Sequence, residues 1–402
     1  MKLYVASLFN LILLLGCSPS MTNKHNKKGR SIEAAGSKAD FLQMTRDHEG
    51  NVIAWWAETD SDTQEPVVCW SRSPKKELNF EEKQCIGATR RASLHAEGLP
   101  ELVVKTNGTY VLVFGRRNVQ AENQWASSIL YIQSFDKGKT WTEPEPVHSD
   151  DNIENSHAFS TAVLLPNGEV GAVWLDTRNQ LDHSEVFFAR THEDEGFGQD
   201  KQIGGPSCEC CKLSLYVDGT EDLHLVYRSL TKNNIRDISH IVSRDNGKTF
   251  STPSVVYNDE WQINACPHNG PDIAASGDHL FVIWYTAGGE EGLYYARSDG
   301  NGGFPTRNRL TKQAKRAYIA SLNNHVLAVW DEIFQREDQS YRRVQMGRIN
   351  QDGELVETHY LSPKGVKASM PSLLKMNGGS VIASWTQRTE EENQLYFQKY
   401  TK

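Results

Sequence analysis

Two groups of residues in this 402-residue chain carry side chains that can bind or react. The first is Cys208-Glu209-Cys210-Cys211, joined later in the chain by Cys266-Pro267-His268. Thiolates and imidazoles are preferred donors for soft metal ions such as copper or zinc. The same thiols can pair as disulfides, and their spacing fits no zinc-finger pattern. The sequence leaves three outcomes open: a bridge from Cys208 or Cys210 to Cys266, a vicinal Cys210–Cys211 bridge, or a metal site of Cys208, Cys210, Cys211, Cys266 and His268. Outside that alternative the chain calls for no cofactor. The second group is Arg116, Asp176, Arg178, Arg228, Tyr285, Glu332 and Arg388 at the ends of apolar runs, with His95 and His157 where other runs begin. Planar guanidinium groups suit a carboxylate ligand, and His is a general base near neutral pH. Structural ion pairs of these arginines with Asp176, Asp331 and Glu332 explain the same pattern equally well.

The elements that must position these groups repeat along the chain. Seven apolar strands each end in an aromatic residue: Trp56, Phe114, Trp174, Tyr227, Trp284, Trp330 and Trp385. Turn pairs precede them, including Asn107-Gly108, Asn167-Gly168, Asp218-Gly219 and Asn377-Gly378. Such pairs favour tight hairpins because those turns need positive φ. Successive aromatic ends lie 58, 60, 53, 57, 46 and 55 residues apart, room for about four short strands each. The spacing predicts an all-β, seven-bladed propeller over 31–402, with a six-bladed ring as the competing count. The last repeat ends on its third strand, Gln394 to Tyr400, so the segment from Ser31 to Lys38 is expected to close the ring. Each blade's first strand should start at the end where its second strand finishes. Both chemical groups would then ring one mouth.

Ser134-Phe135-Asp136-Lys137-Gly138-Lys139-Thr140-Trp141 and Ser243-Arg244-Asp245-Asn246-Gly247-Lys248-Thr249-Phe250 share the pattern S-x-D-x-G-x-T-W/F, with a degraded copy at Ser298–Phe304. These resemble the Asp-box of sialidases and related propellers, where the motif sits on the outer rim without catalysing. The resemblance implies hydrolysis of an anionic glycan: arginines holding a substrate carboxylate, a Tyr activated by Glu as nucleophile, and an Asp as acid/base. Here those roles fall to Arg116, Arg178, Arg228 and Arg388, to Tyr285 with Glu332, and to Asp176, with His157 as a further binding residue. The family's Arg-Ile-Pro motif does not occur, so the assignments rest on place in the repeat alone. Some seven-bladed propellers are instead lyases on uronic-acid polymers, a role His95, His157, Tyr227 and Arg228 would fit. A non-enzymatic binding lipoprotein, handling copper or zinc through the cysteines, is the third reading. The stretch from Cys208 to Trp284, with Arg236-Asp237 and Cys266-Pro267-His268-Asn269-Gly270-Pro271, also resembles a group of bacterial exported sialidase-like proteins without an established reaction.

The net charge of −8, with no basic stripe, argues against a nucleic-acid partner. Lys2 and the apolar run Leu3–Leu15 have the shape of a signal peptide, too short to span a membrane. Leu14-Leu15-Gly16-Cys17 resembles the lipobox of bacterial lipoproteins, which implies acylation of Cys17. Residues 18–30 read as a flexible tether, and Ser18 after the Cys favours the outer membrane in that family. The expectation is a lipid-anchored body facing periplasm or cell surface, meeting a glycan or carboxylated sugar and touching the membrane only through its anchor. Cys69 and Cys85 share one repeat's outer strands and are expected to form a disulfide.

Overall fold

A computed structural model of the chain describes residues 29–74, 78–179, 183–336 and 339–401. The leader, the lipobox with Cys17 and most of the tether lie outside the described residues. Seven four-stranded antiparallel sheets form the body, as the aromatic-ended repeat predicts. Their innermost strands are Asp40–Arg46, Glu101–Val104, His157–Leu164, Ser214–Val217, Asp272–Ser276, Ala314–Leu322 and Lys367–Met376, in blades one to seven. Each packs on the next, and the seventh packs on the first, so the sheets close into a ring around an axis.

The terminal aromatics explain why the blades stack. Trp56, Phe114, Trp174, Tyr227, Trp284, Trp330 and Trp385 are at most 1% exposed. Seven separate apolar clusters each mix residues of two neighbouring blades. One such ring buries roughly 150–250 Å² of mostly apolar surface, the main favourable term at each interface. Blade seven is completed by the N-terminal residues Arg30–Ser31, which pair with Phe397 and Tyr396 as its outermost strand. The closing strand thus begins one residue earlier than the predicted segment and is only two residues long.

The Asp-box turns connect third and fourth strands, far from the axis. Asp136 accepts from the Thr140 amide at 2.9 Å, and Ser134 Oγ accepts from the Gly138 amide at 2.8 Å. Asp245, Thr249, Ser243 and Gly247 repeat the arrangement. Gly138 has φ +88° and its α-carbon lies against the Trp70 ring of the preceding blade, so a side chain would overlap that ring. Cys69 and Cys85, paired across the third and fourth strands of blade one, form a disulfide.

Candidate functional site

The innermost strands differ in how they begin, and that difference builds the mouth. In blades one, three, six and seven the strand bulges near its start, between Asp40 and Gln43, Ala158 and Thr161, Lys315 and Tyr318, and Ser369 and Ser372. Each bulge holds one residue in the left-handed region: Phe41 (φ 61°), Phe159 (55°), Arg316 (52°) and Met370 (58°). A non-glycine residue there is costly, and bulges serve to re-aim side chains. Blades two, four and five instead start with longer loops carrying His95–Glu97, Cys208–Lys212 and Cys266–Gly270. The mouth is therefore a circle of four bulge residues and three loops.

On one side of this circle three arginines gather around two carboxylates, Asp331 and Asp40. Asp331, fully buried on the second strand of blade six, pairs with Arg316 at 3.1 Å and Arg342 at 3.8 Å. Arg388 of blade seven adds its charge nearby and binds Asp40 and the Ser369 hydroxyl. Burial pushes the Asp331 carboxyl up to about 6, against the pull of Arg316 and Arg342. Three guanidiniums against Asp331 and Asp40 leave one positive charge, and Arg316 Nε lies buried without a hydrogen-bond partner. Above them the second and third strands of blade six, His325–Arg336 and Gln339–Asn350, extend as a long hairpin. There Phe334 stacks on Tyr341 with ring centroids 5.4 Å apart.

Within reach of the Arg316 charge, His95 lies 5.3 Å from Phe159 and 5.2 Å from His268, centroid to centroid. Loss of water around the ring, with His268 and Arg316 opposing a further positive charge, holds its pKa below the ordinary histidine value. Below it an axial cavity of about 390 Å³ is lined by all seven inner strands. Glu97 accepts from the amides of Lys212 (3.1 Å) and Gly270 (2.8 Å), tying blades two, four and five together. Lys212 donates to the Ala317 carbonyl at 3.0 Å and stands 3.4 Å above the Tyr318 ring. Burial lowers its pKa and raises that of Glu101, which reaches about 8.

The residues singled out by their place in the repeat are dispersed. Asp176, 1% exposed, accepts from Trp174 Nε1 at 2.8 Å and from Arg178 at 2.7 Å, with His157 Nε2 3.6 Å away. Arg178 also pairs with Asp200 and lies 4.1 Å over Phe187. His157 stacks 3.7 Å from His148, bonds the Ser127 carbonyl and stands 3.2 Å from Asp150. Tyr285 donates its hydroxyl to Glu291, not to Glu332, and burial with that bond pushes its pKa up. Glu332 accepts from Trp330 of its own blade and from Thr311 on the outermost strand of blade five. Arg116 donates to the Ala88 carbonyl at 2.6 Å, and Tyr227 accepts from the Gly205 amide. Asp176, Tyr285 and Glu332 thus belong to three different blades with no shared contact among the described residues, and of the four arginines only Arg388 joins a cluster. The physical reason is one strand's width: second strands finish at the same end as the mouth but outside the inner ring. There their polar ends are held within the blade, as for Asp176 and Tyr285, or by a neighbouring blade, as for Arg116, Arg228 and Glu332.

Arg228 is 1% exposed and donates to the carbonyls of Arg236, Asn269 and Tyr285. Arg236 donates to Cys208 Sγ at 3.0 Å, while Asp237 accepts from the Glu260 and Trp261 amides. Cys208 Sγ stands 3.7 Å from Cys210 Sγ and 3.5 Å from Cys211 Sγ. Hydrogen bonds from these two thiols pull the Cys208 thiol down, the bond with Cys208 pushes Cys210 up, and burial raises Cys211. The sequence reading missed Arg316, Arg342, Glu101, Lys212 and Tyr318. Arg316 follows Lys315 at a strand start, the one available signal; the bulge that turns it inward has no sequence mark.

Residues 50–283 match the family described as the BNR repeat-like domain. A protein of unknown function from Dyadobacter fermentans is 16% identical at TM-score 0.50, covering 75% of this chain and 94% of its own. The polysaccharide lyase Uly1 is 10% identical at TM-score 0.58, covering 95% of this chain and 94% of its own. The Hadza microbial sialidase Hz136 is 14% identical at TM-score 0.49, covering 85% and 74%. No curated protein matches the chain.

Proposed function

The chain belongs to the BNR repeat-like family, as a seven-bladed, sialidase-like propeller, and we propose that its mouth binds and cleaves a carboxylated glycan. The carrying observation is the Arg316–Arg342–Arg388 cluster around Asp331, with surplus positive charge and an unpartnered guanidinium nitrogen. A sugar carboxylate supplies the missing anion with planar, charge-assisted bonds. The Phe334–Tyr341 stack beside it offers a face for a pyranose ring.

Elimination suits this arrangement better than hydrolysis through Tyr285, whose hydroxyl is engaged by Glu291 away from the cluster. With the uronate carboxylate held by the arginines, neutral His95 removes the proton from the adjacent ring carbon. The C–O bond to the leaving sugar breaks as the C=C bond forms, and the imidazolium returns its proton to the departing oxygen. His95 is unprotonated at neutral pH because its surroundings lower its pKa, the state a base requires. The lyase neighbour shares only the fold. Residues 1–17 further support export and lipid anchoring through Cys17, and Ser18 after it supports the outer membrane as the destination.

The test is a panel of uronate-containing, sialate-containing and neutral polysaccharides, followed by ultraviolet absorbance of the unsaturated product and by release of free sugar. Uronate polymers are expected to give the unsaturated product. Arg316→Ala and Arg342→Ala should each weaken binding about tenfold or more, the scale of one charged hydrogen bond. His95→Ala should bind without turnover. Equal binding of neutral glycans, unaffected by either arginine change, would refute the assignment; free sialic acid without unsaturation would replace elimination by hydrolysis.

A further inference from the structure

The glycan reading leaves unused the most concentrated set of nucleophilic side chains in the molecule. We propose that Cys208, Cys210 and Cys211, with Cys266 and His268 at their exposed edge, form a thiolate site for a soft d10 metal ion, Cu(I) or Zn(II). This site lies beside the mouth and does not depend on the glycan assignment.

Distances come first. Cys208 Sγ is 3.7 Å and 3.5 Å from its two partners. Sulfurs bound to one ion at about 2.3 Å in a tetrahedral set lie about 3.8 Å apart. The sulfurs of Cys210 and Cys266 and a ring nitrogen of His268 also fall within 4.8 Å of one another. Cys210 therefore belongs to both triads. Its buried side faces Cys208 and Cys211, and its open side faces Cys266 and His268, through which an ion can reach the thiols. His268 sits at φ 46°, a strained backbone that turns this loop.

Charge is the second, independent observation. Arg228 and Arg236 are 1% and 9% exposed, and among the described residues neither has a carboxylate at ion-pair distance. Arg228 is held by three carbonyls, and Arg236 reaches the Cys208 sulfur and the Ile263 carbonyl. Asp259 is near enough for the Arg228 charge to act on it, but its carboxylate pairs with Arg307, so the thiolates are the anions left for these two buried cations. Three thiolates with monovalent copper carry two negative charges, which the two guanidiniums cancel. Zinc calls for a fourth donor; Cys266, grouped with Cys210 but not with Cys208 and Cys211, would have to move inward to supply it, and the set would then carry the same charge. The two ions therefore differ in their need for Cys266.

Binding is a ligand exchange: each thiol that coordinates releases one proton, and no electron is transferred. The full exported protein, purified anaerobically with reductant and stripped of metal, would be titrated with Cu(I) and with Zn(II) against competing chelators. Native mass spectrometry would count the metal, and X-ray absorption would identify its donors. One tightly held equivalent with a sulfur-dominated shell is expected. Cys210→Ser should cost about a hundredfold or more in affinity for either ion. Cys266→Ser should weaken zinc about tenfold or more and leave copper within about threefold. Should Cys210→Ser not fold, protection of the native thiols from alkylation by bound metal reads the same site. Failure of both ions to compete in the reduced protein would overturn the proposal. So would an isolated protein whose mass is lower by two hydrogens for a bridge beyond Cys69–Cys85. Neither outcome bears on the glycan reading, since the titration contains no sugar.

Discussion

Replacing Glu101 by Gln should remove a pH-dependent weakness at the centre of the ring. Glu101 begins the inner strand of blade two and faces the axial cavity together with Lys212 and Asp272. Burial raises its pKa from 4.5 to about 8, while the Lys212 charge pulls the other way and Asp272 adds to the rise. Between those values the folded protein keeps a proton that the unfolded chain has released. The stability this contributes is complete below about pH 4.5 and is lost as pH climbs through 8. The slope is about −1.4 kcal/mol per pH unit, and the upper limit of the loss is about 5 kcal/mol, reduced by whatever water the cavity admits. Gln keeps the shape and lacks the titration. Lys212, whose pKa burial lowers, acts with the opposite sign at alkaline pH, but it is present in both proteins. Guanidinium unfolding of the two proteins from pH 5 to 9 isolates the effect. The variant's advantage should widen steadily up to about pH 8 and then level off. A stability gap that stays constant across this range would refute a protonated Glu101 in the folded ring.

Asp176→Ala should cost about 1–3 kcal/mol in denaturant unfolding, because it leaves the buried Trp174 indole unpaired and Arg178 with Asp200 as its remaining carboxylate. The folded fraction of that variant should still bind glycan, since Asp176 lies outside the arginine cluster. Gly138→Ala should destabilise by about 1–3 kcal/mol in the same assay, combining φ +88° with overlap on Trp70. Trp330→Ala should lose about 3–5 kcal/mol through the cavity left between blades five and six.

The blade count was legible because burial between sheets demands an aromatic at one fixed point in every repeat, and Trp56, Trp174 and Trp385 mark it plainly. The Asp-box turns were legible too, since Asp136 and Asp245 accept from amides and hydroxyls of their own motif. The mouth was legible in part. Cys208, Cys210, Cys211 and His268 gather where the strand starts predicted. Arg316 did not stand out, because its role depends on a one-residue bulge that composition does not encode, and the same bulge carries Phe41, Phe159 and Met370. Arg178 and Asp176 looked like a site because residues two apart at a strand end read alike whether they face a ligand or each other. Only the distances separate the two cases.

The two-residue clasp of blade seven also has a mechanical meaning. Arg30 and Ser31 are the first strand among the described residues, on the outer perimeter of the ring. If Cys17 carries the proposed anchor, 13 residues of chain separate it from Arg30, a leash of at most about 45 Å. Attachment at the perimeter leaves both axial openings clear and lets the disc tilt about its edge. Tension on the leash would fall first on the pairs Arg30–Phe397 and Ser31–Tyr396, peeling them one at a time. The ring would then open at blade seven before any other seam is loaded, so shear at the membrane would be converted there into local unfolding.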